Sequence, residues 1–149
     1  MRPIMLTVLA LLAFGCASTA LSQRLAPPWR RIFVDSGFDI AFDTSHVEND
    51  REDQYVIRLE TRWKIPRRGR TKRTSTPFNR ELIRAFLRCQ PPGYKVISTV
   101  VSLNNGAPID SVATSVADAR MKEWSIPARG SADAGVADRV CAILRIRKN

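Results

Sequence analysis

The amino-acid sequence predicts an α+β domain: an antiparallel sheet of four to six strands packed against a C-terminal helix, with one disulfide. Three observations carry this expectation. Gln54 to Ile65 alternates over its whole length, with Tyr55, Ile57, Leu59, Thr61, Trp63 and Ile65 on one side and Val56, Arg58, Glu60, Arg62 and Lys64 on the other. That period marks a strand with one buried and one wet face, which is the habit of an antiparallel sheet. Tyr94–Leu103 and Ile109–Val116 flank Asn104-Asn105-Gly106, a hairpin turn sequence. Finally, Val136, Val140, Cys141 and Leu144 recur at helical spacing.

From the N-terminus, Arg2 precedes an uncharged apolar run, Ile4 to Phe14, that is too short to span a bilayer. Small residues follow. This is the layout of an export signal, expected over residues 1–20. Two cleavages are open. Leu12-Ala13-Phe14-Gly15-Cys16 reads as a lipobox that would leave Cys16 as a lipidated N-terminus and tether the domain to a membrane. Alternatively, an ordinary signal peptidase cuts after Ala20 or Ser22. Residues 21–31, with Pro27-Pro28, read as an extended linker, and one domain is expected over residues 32–149.

Within that domain, Ile32–Val34 reads as a short strand. Phe38, Ile40 and Phe42 alternate with Asp39 and Ala41 as a half-buried one. Asp43-Thr44-Ser45-His46 is a turn, and Glu48 to Asp53 a charged connection. Asn79 to Cys89 fits both periods: Leu82, Ile83, Phe86 and Leu87 suit a helix, while Ile83, Ala85, Leu87 and Cys89 suit a strand, and strand is preferred. Pro91-Pro92-Gly93 turns the chain. Trp124 to Pro127 is an anchor and a stop. Ser131 caps the last helix, with Asp133 in its first turn and basic residues from Arg145 after its last, both favourable to the helix dipole.

Export would change the meaning of the cysteines. Cys16 is lipidated or lost under either cleavage, so Cys89–Cys141 is the one intramolecular bridge left in an oxidising compartment; the alternative is two free buried thiols. A bridge would close a loop of roughly fifty residues, worth about 4 kcal/mol by chain-entropy arithmetic.

The formal charge is +10, and its excess is local. Lys64, Arg67, Arg68, Arg70, Lys72 and Arg73 form a run without an acid. Pro66, Gly69 and the Thr71–Pro77 segment make this run read as a polar loop. Such a patch suits anionic partners: lipid head groups, acidic polysaccharide or an acidic protein surface. Nucleic acid is not expected, because no aromatic residue interleaves the run for base stacking and export removes the chain from it.

No reaction is legible. His46 is the one histidine. Asp43 and Ser45 flank it, but neighbours in one turn do not generally reach the geometry of a Ser-His-Asp triad. The acids Glu48, Asp50, Glu52 and Asp53 lack the spacing and glycine of a calcium loop. There is no Cys-x-x-Cys pair and no Gly-rich phosphate loop, so neither metal nor cofactor is implied. Trp63 and Trp124 read as core anchors, with ligand stacking as the alternative.

Together, Asp43-Thr44-Ser45 at a strand end, the long strand carrying Trp63, Cys89, the turn with Gly106, Trp124, Pro127 with Ser131, and a final helix bearing Cys141 resemble the surface-adhesin protein E-like family of bacterial envelope proteins. The resemblance covers roughly Ile32 to Leu144. It implies an antiparallel sheet on a C-terminal helix, with a Cys89–Cys141 bridge from strand to helix. Here Pro127-Ala128-Arg129-Gly130-Ser131 is longer than the Pro-Gly-Ser usual in that family. The family takes its name from binding to host extracellular-matrix proteins. The expected function is thus a non-enzymatic, adhesin-like envelope binding module, outer-membrane-lipidated, periplasmic or secreted. A structural envelope lipoprotein that contacts other envelope proteins is the alternative, and a small hydrolase using Asp43, Ser45 and His46 a remote third.

Overall fold

The computed structural model describes residues 28–68 and 76–148. The export segment with Cys16, most of the 21–31 linker, and Arg70, Lys72 and Arg73 lie outside them. The elements run β1 (Trp29–Val34), β2 (Phe38–Asp43), β3 (Glu48–Arg51), β4 (Gln54–Arg68), β5 (Pro77–Cys89), β6 (Pro92–Ser102), β7 (Pro108–Ala113), α1 (Val116–Met121) and α2 (Ala132–Lys148). All strand pairings are antiparallel, in the order β1-β2-β4-β5-β6-β7, with β3 paired to β4 as well.

The α+β architecture is as the sequence predicts, with seven strands in place of four to six. The strand beyond that range is β3, which occupies the segment expected as a charged connection. It is short and polar, Glu48-Asn49-Asp50-Arg51, so no hydrophobic alternation betrays it. Such a strand suits the end of a sheet edge, where charge discourages further pairing. β3 and β2 take successive stretches of one edge of β4: Glu48 opposes Val56, and Phe42 opposes Leu59. β1 begins at Trp29, inside the expected linker. Asn79–Cys89 is strand throughout as part of β5.

One sheet face carries the main core. Ile40, Phe42, Tyr55, Ile57 and Leu87 pack there against Val136, Val140 and Leu144 of α2. The helix stripe predicted from the sequence is therefore the buried one. Ser131 caps α2, its hydroxyl accepting the Ala134 amide at 3.2 Å. Three ties fix the helix in place. Cys89 and Cys141 form the disulfide, with Cα atoms 5.7 Å apart and a sequence separation of 52. The Arg139 guanidinium donates to the Ile32 carbonyl, and that of Arg147 to the Thr44 carbonyl at 2.7 Å.

The opposite face was expected to be wet, and at one end it is not. Val56, Phe86, Ile97 and Ala119 form a second buried cluster, with Trp124 packed against it. The cover comes from α1, which the sequence reading did not anticipate. Its start is nonetheless written in the chain: the Ser115 hydroxyl accepts the Asp118 amide at 3.0 Å and donates to the Asp118 carboxylate at 2.6 Å, a reciprocal cap. Trp124 is held down by a backbone bridge between Tyr94 and Ser125. Gly93 leaves room for it, since a Cβ there would lie 3.4 Å from the indole.

Two further expectations on β4 are corrected. Ile65, predicted to point inward, is 79% exposed. The β4–β5 register shifts between Arg62 and Arg67, and Pro66, which has no amide to give the ladder, sits in that irregular stretch. The basic run, expected to leave the strand after Ile65 as a polar loop, is strand as far as Arg68.

Replacing Cys89 and Cys141 together by serine is expected to lower unfolding free energy by about 4 kcal/mol. Urea denaturation at constant pH checks this; a loss below about 1 kcal/mol would show that packing and the two arginine ties hold α2 without the bridge.

Candidate functional site

Alternation on β4 puts Arg58, Glu60, Arg62 and Lys64 on the face away from α2, and the register with β5 sets their neighbours. Arg58 lies opposite Arg84, Glu60 opposite Leu82, and Arg62 opposite Arg80. Residues directly opposed share a sheet face and stand within side-chain reach. Four arginines from two strands thus gather around one glutamate.

Glu60 is the organising group. It is 1% exposed, although its position in the alternation marked it as wet. Two arginines cover it. Arg62 donates through Nε to Glu60 Oε1 at 2.9 Å, and Arg80 does so at 2.5 Å. Both guanidinium groups remain partly open to water. Arg58 is exposed, and Arg84 meets Glu48 at 3.6 Å. Four cations and two carboxylates leave this part of the face at +2. Guanidinium groups present planar donor forks matched to carboxylate, phosphate and sulfate, so a face of this kind suits an anionic partner.

The stripe continues toward the end of β4. Lys64 donates to the Asp35 carbonyl at 2.6 Å, which ties the β1–β2 turn to the strand. Arg67 lies 4.1 Å above the Trp63 ring, a cation–π contact, and Trp63 in turn packs on Phe38 with ring centres 4.8 Å apart. Arg68 is exposed. Of the six basic residues singled out in the sequence, Lys64, Arg67 and Arg68 therefore lie on β4; Lys64 shares the face of the arginine cluster, whereas Arg67 stacks on Trp63, which belongs to the α2 side.

Arg80 and Arg84 were missed. Their signal was present: if Asn79–Cys89 is read as a strand, Arg80, Arg84 and Arg88 fall on its outward side. The strand was read for its apolar face, and which strand Arg80 and Arg84 would oppose depends on the register with β4. Arg88 serves differently, its guanidinium lying 4.5 Å over the Trp124 ring, with Lys95 at 4.7 Å from the same ring. Both expected anchors, Trp63 and Trp124, therefore pack against the fold and carry cations.

Asp43, Ser45 and His46 do come together, as a turn. Ser45 donates its amide and its hydroxyl to Asp43 Oδ1, at 2.9 and 2.8 Å. His46 Nδ1 lies 2.8 Å from Asp43 Oδ2 and 2.8 Å from the Ser45 hydroxyl. The same ring nitrogen faces both residues. A triad needs the serine on one ring nitrogen and the aspartate on the other, and this geometry does not provide that. Burial raises the Asp43 carboxyl, but the Ser45 hydroxyl and amide and the His46 ring outweigh it, and the net shift is below the usual 3.8.

No helix among the described residues is long and apolar enough to cross a membrane. The disulfide is compatible with an oxidising, extracytoplasmic setting. Comparison of the chain with protein families, with curated proteins and with solved structures finds no match.

Glu60→Gln removes the charge that Arg62 and Arg80 share beneath the surface; it is expected to cost about 2 kcal/mol in urea unfolding, and an unchanged midpoint would deny Glu60 its organising role. The lowered Asp43 carboxyl stabilises the fold above the ordinary carboxylate range, and this is lost as pH falls through its depressed folded value. Asp43→Asn should therefore cost about 1 kcal/mol at neutral pH, with the gap from the parent protein narrowing in acid.

Proposed function

We propose that this chain is an exported, non-enzymatic binding module of the cell envelope that holds anionic groups on its arginine-bearing sheet face. The observation that carries this reading is the grouping of Arg58, Arg62, Arg80 and Arg84 around the buried Glu60. A buried carboxylate fixes two of the guanidinium groups before any partner arrives, which lowers the ordering cost of binding. Lys64 extends the face along β4 toward the segment that carries Arg70, Lys72 and Arg73. The partner is a surface bearing repeated phosphate, sulfate or carboxylate groups, such as anionic lipid head groups or acidic polysaccharide.

The N-terminal apolar segment, the lipobox ending at Cys16 and the bridge between Cys89 and Cys141 support export, with lipid anchoring at the outer membrane or release into the periplasm as its two forms. The resemblance to the surface-adhesin protein E-like family supports adhesion as the biological setting. In the lipidated form, the anchor and the arginine face would act as two separate attachments.

The test is sedimentation with anionic and neutral vesicles, and retention on a sulfated polysaccharide, across a salt series. Binding should be confined to the anionic supports and should weaken as salt rises. Arg58→Gln with Arg84→Gln should weaken it by roughly 1 kcal/mol per arginine without lowering the melting temperature. Equal retention of the variant and the parent would exclude the arginine face as the binding surface.

A further inference from the structure

α2 does not cover its whole sheet face. Beside it, Leu59, Ile83, Ala85 and Val96 form a floor, and Val136 and Ala137 of the helix form a wall. The space between them is a cavity of about 310 Å³, open on one side. This lies within the range of small-molecule sites, which are largely apolar with a few convergent polar groups. The packing accounts for it: α2 is pinned by Cys141 near the Cys89 end of the sheet, so the helix start stands over strands that continue beyond it.

The polar groups that line the cavity have a definite character. Its two charged residues are Glu81, on β5, and Asp133, in the first turn of α2. Tyr94, also in the lining, has its hydroxyl beside Asp133; burial first, and then that carboxylate, raises the phenol above its usual 10.0. Burial raises the Glu81 carboxyl above its usual 4.5, and the charge of Arg67 only partly opposes this. Among the described residues, none makes a hydrogen bond or close ion pair with the Glu81 carboxylate. A carboxylate beside an apolar wall is stabilised by a cation brought to it. In a chain of charge +10, the charged side chains that line this cavity among the described residues are both acids, with Arg67 the cation that acts on Glu81 from nearby.

We propose that the cavity between α2 and the sheet binds a small organic ammonium, its apolar body against Leu59, Ile83 and Val136 and its cationic head at Glu81 and Asp133. Charge complementarity selects this occupant. An apolar anion of the same shape would meet two carboxylates, and a neutral one would bring no charge to Glu81. The site is separate from the arginine face, which lies on the other side of the sheet and has the opposite sign.

The test is a methyl-detected NMR titration of the oxidised full-length protein with three matched probes: phenylbutylammonium, phenylbutanol and phenylbutyrate. The ammonium should shift the methyls of Leu59, Ile83 and Val136, and should bind about tenfold more tightly than the alcohol, a difference of about 1.4 kcal/mol. Glu81→Gln should erase that preference. Ile83→Phe, which fills the floor, should abolish binding of the ammonium while keeping the spectrum of a folded protein. Equal affinity for all three probes, preference for the carboxylate, or no shift at these methyls would overturn the proposal. So would ammonium binding that appears only once Arg70, Lys72 and Arg73 are replaced by glutamine, because the chain's own cations would then be the natural occupants.

Discussion

The bond between Cys89 and Cys141 is the constraint on which the rest of the arrangement depends. It joins the last residue of β5 to the middle of α2 and encloses everything between them, namely β6, β7, α1 and Trp124. The helix stripe of Val136, Val140 and Leu144 would favour packing on any apolar sheet face. The bridge, with Arg139 on the Ile32 carbonyl and Arg147 on the Thr44 carbonyl, decides where on that face it packs. One end of the sheet is closed over Phe42, Tyr55 and Leu87 as a result, and the adjoining part is left as the cavity lined by Glu81 and Asp133.

The other face is organised by charge. Two-sided cover is complete at the α1 end, where Val56, Phe86 and Trp124 meet. Farther along, the cover is a pair of arginine side chains over a single carboxylate. Buried ion pairs of this kind gain little net stability over apolar replacements, so the arrangement around Glu60 is poorly explained by stability alone. It does set the orientation of two guanidinium groups on a rigid sheet and keep them near water. The two faces thus carry opposite chemistry: an arginine stripe on one, and an acid-lined apolar cavity on the other.

Much of this was legible in the chain because period-two alternation is a direct readout of sheet geometry. It located β2, β4 and the face of Arg58 and Arg62, and the helix stripe located α2 with its cap at Ser131. What alternation lacks is any record of what lies above a face. Val56 and Glu60 were read as wet because α1 and Arg80, which help to cover them, come from distant positions, and alternation alone does not show Arg62 folding back over its neighbour. β3 was invisible because a four-residue polar edge strand has no hydrophobic pattern. Ile65 misled because the register shift next to Pro66 breaks the alternation it belonged to. Arg80 and Arg84 required both the strand assignment of β5 and its register against β4. The cavity was beyond reach, since it arises from where the helix stops covering the sheet.

The most direct test is the thiol state of the protein isolated from its own host under alkylating conditions, without reductant, by intact mass. A disulfide-locked exported domain predicts a mass two hydrogens below the reduced chain, with no alkyl group on Cys89 or Cys141. Alkylation of both cysteines would contradict it, leaving α2 without its covalent tie and the proposed envelope setting without its oxidising compartment.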